Sequence, residues 1–286
     1  MSNYKCIYCG SSRGKNWLLK CRDYYLQKPQ ISDYLECENC NSYQQYPIPS
    51  DTSSFYDDYP IHQQKSVFFH YFRKLFFSKA MYSPPATAQG VLLDYGCGDG
   101  SYLSEVIDKV PSVLGFEPNS DHAKTLSEII GVPIYSDEDL LVNECSGQIN
   151  TVTMHMVLEH LTNLNDTFNN INKLLVDQGL FYILIPNAHS WESKLFKRKW
   201  HGLDAPRHIS FASDNGIQVL AEKNGFVIDK KYFVSYPTSI AGSIPPLIVN
   251  KFNYLLFLAC LPVSFIVSRI FPSGSKVYIL KKIESV

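Results

Sequence analysis

The chain has 286 residues, of which 45% are hydrophobic and 19% charged, with a formal net charge of −1. At about 100–200 residues per domain, it has room for one large domain and a small accessory module. The composition excludes a disordered chain, and the near-neutral charge offers no footprint for a nucleic-acid partner.

The opening MSNYKCIYCG lacks the apolar core of a secretory signal, which predicts a cytoplasmic protein whose thiols stay reduced. The eight cysteines are therefore read as metal ligands or packing residues. Cys6 and Cys9 form one CxxC knuckle and Cys37 and Cys40 a second. Each knuckle aims two thiolates at one ion, so residues 1–49 are expected to fold around a structural zinc. A closed four-thiolate shell leaves no open position for catalysis, and the module is assigned to structure or partner recognition. Cys21 is left as a packing residue or a substitute ligand.

Residues 50–89 read as a connector: a polar and acidic aromatic stretch, then a helix around 67–77 that is apolar nearly all round and stops at Pro84 and Pro85. From residue 90 short apolar runs alternate with amphipathic ones, the pattern of βαβ units on a parallel sheet. Strands are predicted near 91–95, 113–117, 132–135, 149–155 and 179–185, with helices near 101–110, 120–130, 163–176 and 213–224. Two further strands near 226–235 and 275–283 complete a seven-stranded doubly wound α/β sheet over 90–286, interrupted by an apolar insertion at 236–274.

Directly behind the first strand stands D94-Y-G-C-G-D-G100. A glycine turn at that position either cradles a cofactor or merely closes a tight turn. The spacing of Gly96, Gly98 and Gly100 behind Asp94 differs from the GxGxxG of hydride-transfer dinucleotide sites. Glu117 ends the next strand, where a carboxylate can accept from both hydroxyls of a ribose.

These residues resemble the class I S-adenosylmethionine-dependent methyltransferases, with an acid and GxGxG in the first motif and an acid ending the next strand. The segment M154-H-M-V-L-E-H-L161 is similar to a VLEH stretch in a small-molecule subfamily, and G179-L-F-Y-I-L-I-P-N187 to its fifth strand. W200-H-G-L-D-A-P-R-H-I-S-F211 resembles a tryptophan-to-PRH stretch in a ubiquinone-type branch, and the second knuckle with the following YPIP and YDDY resembles members that carry a zinc ribbon in front. The resemblance spans most of the chain except 236–274 and departs at Asn150, where an Asp is common. It implies a Rossmann-like fold and S-adenosylmethionine held by Asp94, Gly96, Gly98, Gly100, Glu117 and Met154.

Methyl transfer from a sulfonium is an in-line displacement that needs an aligned nucleophile and, for a hydroxyl or carbon acid, a base. Histidine suits that role, and the candidates are His155, His160, His201 and His208. His208 is preferred, with Arg207 binding an anionic substrate group; His160 lies near the cofactor or serves structure. The cations of K194-L-F-K-R-K-W200 read as a solvated face, a lipid-headgroup contact or a diphosphate contact.

Residues 240–272 are too short for two membrane crossings, and a single crossing would separate two strands of one sheet. A helical hairpin remains, which lies on a membrane, covers a hydrophobic acceptor or joins two subunits, with peripheral membrane contact ranked first. The expected activity is O-methylation of a small-molecule or lipid-linked acceptor in envelope glycan or isoprenoid biosynthesis. The alternatives are C-methylation of a nucleotide-linked sugar, RNA methylation and a noncatalytic partner-binding protein. The D/N-P-P-Y motif of base-amino methylation is absent, and the missing basic stripe argues further against RNA.

Overall fold

A computed structural model describes residues 4–55 and 90–284. The predicted connector helix around 67–77 and its proline stop lie outside the described residues.

The larger sheet has seven strands: β4 (Val91–Tyr95), β5 (Ser112–Phe116), β6 (Ile134–Tyr135), β7 (Ile149–His155), β8 (Leu175–Pro186), β10 (Phe226–Val234) and β11 (Ser275–Lys282). Their order is β10-β11-β8-β7-β4-β5-β6. Strands β4 to β8 run parallel, while β11 is antiparallel to both β8 and β10. The chain winds outward from β4 through β5 to β6, then returns to β4's other side at β7. A crevice therefore opens between the carboxyl ends of β4 and β7, the switch point of a doubly wound sheet.

Helices α1 (Ser101–Val106), α2 (Ser120–Ile130), α3 (Glu138–Cys145) and α4 (Leu164–Leu174) connect the parallel strands, and α6 (Asp214–Lys223) leads into β10. Helix α1 is shorter than its expected span of 101–110, and α3 was not foreseen; its acid-rich sequence buries just Leu141 and Cys145. Local chemistry sets the ends of α2: the Asn119 side chain accepts from His122 N, and Gly131 closes the helix at a φ of 80°. Between α4, β8 and β10, the rings of Phe168, Phe181 and Phe226 meet with centroids 5.2–6.1 Å apart in the main core.

The N-terminal module contributes β1 (Gly14–Arg22), β2 (Ile31–Cys37) and β3 (Tyr43–Gln45), an antiparallel sheet continued by β9 (Ser210–Phe211) from the far side of the chain. The cysteine module thus shares a sheet with the segment that follows the short helix α5 (Trp191–Phe196).

Residues 237–270 form the hairpin, α7 (Pro237–Val249) and α8 (Tyr254–Ile270), and the chain then pairs Ser275 with Val234 to resume the sheet. Pro262 lies inside α8 rather than ending it. No described helix is long and apolar enough to cross a membrane. Asn150, the departure from the expected acid, accepts from Val91 N at 2.9 Å and ties the start of β4 to β7, a bond an aspartate would make as well.

Candidate functional site

The glycine loop fills the mouth of the crevice. Gly96, Gly98 and Gly100 take φ values of 79°, 53° and 68°, the left-handed region in which other residues are strained. A Cβ on Gly96 would stand 2.6 Å from Val157, so the glycine is what lets the turn after β7 close against the loop. Glu117, 7% exposed, accepts from Gly98 N and Asn119 N at 3.2 Å each, pinning the loop to the end of β5. Each oxygen keeps a further lone pair for a ligand hydroxyl. Asp94 accepts from the Thr153 hydroxyl at 2.8 Å and faces His155 Nδ1 at 3.5 Å. His155 also packs on Tyr102, with ring centroids 4.3 Å apart. A backbone-lined cradle with an acid beyond it fits a ligand that carries a ribose, as an adenosyl cofactor does.

In the cysteine module each knuckle is built by the same backbone turn. Cys6 N donates to Ser11 O and Gly10 N to Cys6 O; Cys37 N donates to Ser42 O and Asn41 N to Cys37 O. Gly10 and Asn41 sit at φ values of 74° and 62°, left-handed positions suited to glycine and asparagine. The sulfurs of Cys6 and Cys40, and of Cys9 and Cys37, are 3.6 Å apart. A tetrahedral ion with bonds of about 2.3 Å to sulfur needs edges near 3.8 Å, so the four thiolates can hold one metal. Asn39 donates to Cys9 Sγ at 3.5 Å and orients it. Cys21 stands apart, fully buried in a second core.

The module also grips the loop between α5 and α6. Gln45 Nε2 donates to the carbonyls of Pro206 and His208 at 2.6 and 3.1 Å, and the Tyr34 hydroxyl donates to His208 O at 2.7 Å. Ser213, which caps α6, donates to the carbonyl of Cys40, a candidate metal ligand. Arg207 is completely buried and forks onto two carboxylates, Asp23 at 2.8 and 3.1 Å and Asp204 at 2.6 and 3.0 Å. Burial alone would raise the Asp204 carboxyl, but the Arg207 guanidinium outweighs it and holds it down at about 2. Arg207, expected to bind substrate, is thus spent on joining Asp23 of the module to Asp204 of the loop.

Beyond Arg207 the loop meets the turn after β7. Glu159, His160 and His208 each offer a ligand atom, all within 4.8 Å of one another. His160 Nδ1 lies 3.0 Å from the Arg207 carbonyl and His208 Nδ1 2.8 Å from that of Gly202. A carbonyl can only accept, so both Nδ1 atoms carry the proton and the lone pairs are on Nε2. Burial lowers both imidazoles, His208 to about 3, so both are neutral near neutral pH. Glu159 is 1% exposed with neither oxygen hydrogen-bonded, and burial pushes its carboxyl up to about 8.

Two of the expected catalytic residues, His160 and His208, therefore meet, with ring centroids 4.7 Å apart. His201 lies elsewhere, its backbone N–H on Ser243 and its ring against Phe252 of the hairpin loop. Met154 is wholly buried in the main core. Sequence reasoning passed over Glu159, although it stood inside the VLEH stretch, and the Asp94–His155 pair, whose two-residue separation from Thr153 on the strand gives no sign of contact with β4.

A second cavity lies on the hairpin side, lined by Arg22, Arg198, Lys199, Trp200, Pro246 and Phe252 among others.

A family model described as a methyltransferase domain matches residues 68–231. Among solved structures, a S-adenosylmethionine-dependent methyltransferase from Archaeoglobus fulgidus superposes with a TM-score of 0.52 at 16% identity, covering 80% of this chain and 99% of that one. Phosphoethanolamine N-methyltransferase 2 from Haemonchus contortus, in complex with phosphomonomethylethanolamine and S-adenosylhomocysteine, gives 0.51 at 15% identity, covering 85% of this chain and 62% of that one. No curated protein matches the chain.

Proposed function

Because the chain belongs to the methyltransferase-domain family whose model spans residues 68–231, we propose that it transfers the methyl group of S-adenosylmethionine to an oxygen of a lipid-linked or otherwise anionic acceptor. The cofactor, when bound, supplies a methyl group on a positively charged sulfur. The chain's own part is to hold and orient. Gly96, Gly98 and Gly100 let the backbone approach, Glu117 receives the ribose hydroxyls, and Asp94 keeps His155 turned at the strand ends.

The acceptor class rests on one observation: a single cavity is lined by Arg22, Arg198 and Lys199, by the acidic Asp204, and by Pro246 and Phe252 of the hairpin. Cations there suit a phosphate or diphosphate. The same hairpin exposes Ile248 at 64%, Leu255 at 77% and Val263 at 66%. Such an apolar face beside a cationic pocket suits an acceptor presented at a membrane surface, and peripheral contact through 240–272 belongs to this reading. The acceptor's proton leaves at the cluster of Glu159, His160 and His208, which stands at the turn after β7. The four cysteines hold a structural zinc, whose role is to set the loop that carries His208.

Calorimetric titration with S-adenosylmethionine tests the cofactor, and Glu117→Ala is expected to weaken it by about 1–3 kcal/mol, the scale of hydrogen bonds to a charged group. Turnover of an isoprenoid diphosphate or a lipid-linked sugar, lost on Arg198→Glu with cofactor affinity kept, tests the acceptor. Equal turnover of an uncharged alcohol by both proteins would discard it.

A further inference from the structure

We propose that Glu159, His160 and His208 form a second metal site, distinct from the four cysteines, that takes a divalent first-row transition-metal ion and leaves coordination positions open. Three observations carry this. Glu159 presents two carboxylate oxygens that are buried and have no hydrogen-bond partner, an arrangement that costs several kcal/mol unless a cation or a proton stands against them. His208 Nε2 lies 3.9 Å from Glu159 Oε1, too far for a hydrogen bond and near enough that two lone pairs face each other. Both histidines have Nδ1 held by a backbone carbonyl, Arg207 for His160 and Gly202 for His208, the outer contact that orients metal-bound imidazoles.

Two imidazoles and one carboxylate select transition metals over magnesium or calcium, and three protein ligands leave room for a water or a substrate oxygen. The ligand-bearing turn begins next to Val157, which rests on Gly96 of the cofactor cradle. An ion at the cluster would hold an acceptor hydroxyl near the cofactor cradle and make it more acidic, its proton passing to solvent because the cluster's own lone pairs are on the ion. This catalytic role rests on the methyltransferase reading; the occupancy of the site does not.

The test is titration with Co2+ of the purified full chain carrying one zinc per chain, followed by calorimetry and visible absorption, with zinc content measured before and after. One Co2+ per chain should bind while zinc is retained, without the intense thiolate-to-cobalt band that displacement into the cysteine site would produce. Glu159→Gln should lower the affinity by about tenfold or more, as loss of a charged ligand predicts at least what loss of an outer-shell contact costs. Saturable binding that appears only as zinc leaves, no binding at all, or unchanged affinity in a folded Glu159→Gln chain would each overturn the site. If that variant does not fold, the wild-type stoichiometry and band shape decide alone. The same samples titrated with S-adenosylmethionine separate the two readings: cofactor binding without Co2+ binding sinks the metal site alone, and the reverse sinks the methyltransferase reading alone.

Discussion

The cysteine module and the helical hairpin grip the same stretch of chain, residues 197–213, from two sides and by opposite means. The module does so with polar groups that are satisfied: Gln45 and Tyr34 on the loop carbonyls, Arg207 between two aspartates, Ser213 on Cys40. The hairpin does so with small residues packed against a buried acid of α5. Gly242 leaves space for the His201 ring, Ser243 accepts from His201 N, and Ser239 accepts from Trp200 Nε1 and donates to buried Glu192. A network closed on itself, built on four cysteines placed to hold one metal, should fail all at once. One resting on a buried carboxyl held by two hydroxyls, and on an outward apolar face, should loosen by degrees and respond to its surroundings.

The largest effect should come from the metal. Removing the proposed zinc by strong chelation, or replacing Cys37 by serine, takes away a contribution worth about 10–16 kcal/mol in isolated zinc modules. Because β9 belongs to the same sheet, the loss should spread to the loop carrying His208, seen as a large fall in melting temperature together with loss of the native near-ultraviolet dichroism. A module that melted alone, leaving cofactor binding and the main transition unchanged, would show that the two regions are independent.

Next in size is Arg207→Met. It leaves Asp23 and Asp204 buried without their partner, which costs about 3–5 kcal/mol by denaturant titration. If Arg207 instead served a substrate, the variant would keep its stability and lose acceptor affinity. This residue shows where the sequence ran out. The PRH stretch flagged it as functional, but its partner Asp23 is 184 residues away, and no local pattern announces a contact of that span. The same holds for Glu159, whose lack of a partner depends on the packing of a loop about 50 residues downstream. By contrast, the strands and the glycine turn were legible because alternation and turn chemistry are local. So was the four-sulfur cluster, because the spacing within each knuckle fixes its geometry. The helices of the hairpin carried no such signal: apolar on nearly every side, they give no phase from which a buried face could be read.

On the hairpin side the lever is pH. Glu192 is fully buried, and burial raises its carboxyl from the ordinary 4.5 to about 7 against the pull of Ser239 and Ser273. A carboxyl raised on folding contributes stability in full below about 4.5, and loses it as pH rises through about 7. The change should amount to at most about 3 kcal/mol between those limits. Zinc thiolates respond in the opposite direction, since acid protonates them. Acid should therefore weaken the module while base weakens the hairpin, and the difference between wild type and Glu192→Gln isolates the second. That difference should vary across pH 4.5 to 7 and flatten above it; no variation would remove Glu192 as the seat of the hairpin.

The smallest effect on stability, and the most telling for function, is expected on the hairpin's outer face. Leu255 is 77% exposed, so Leu255→Glu should change unfolding free energy by no more than about 0.5 kcal/mol. Sedimentation with vesicles of mixed neutral and anionic phospholipid should nevertheless show binding reduced severalfold, because the charge must enter the interface. The comparison with Arg198→Glu then divides the contact into its parts. Loss of binding in both variants means that the apolar face and the cationic cavity dock together, the cations on headgroups and Leu255 among the acyl chains. Loss in Arg198→Glu alone means that the cavity binds the anionic group and the apolar face meets something other than lipid. Concentration-dependent dimerisation that Leu255→Glu abolishes would identify that something as a second copy of the chain, and would move the hairpin from membrane contact to subunit contact while leaving the acceptor pocket where it is.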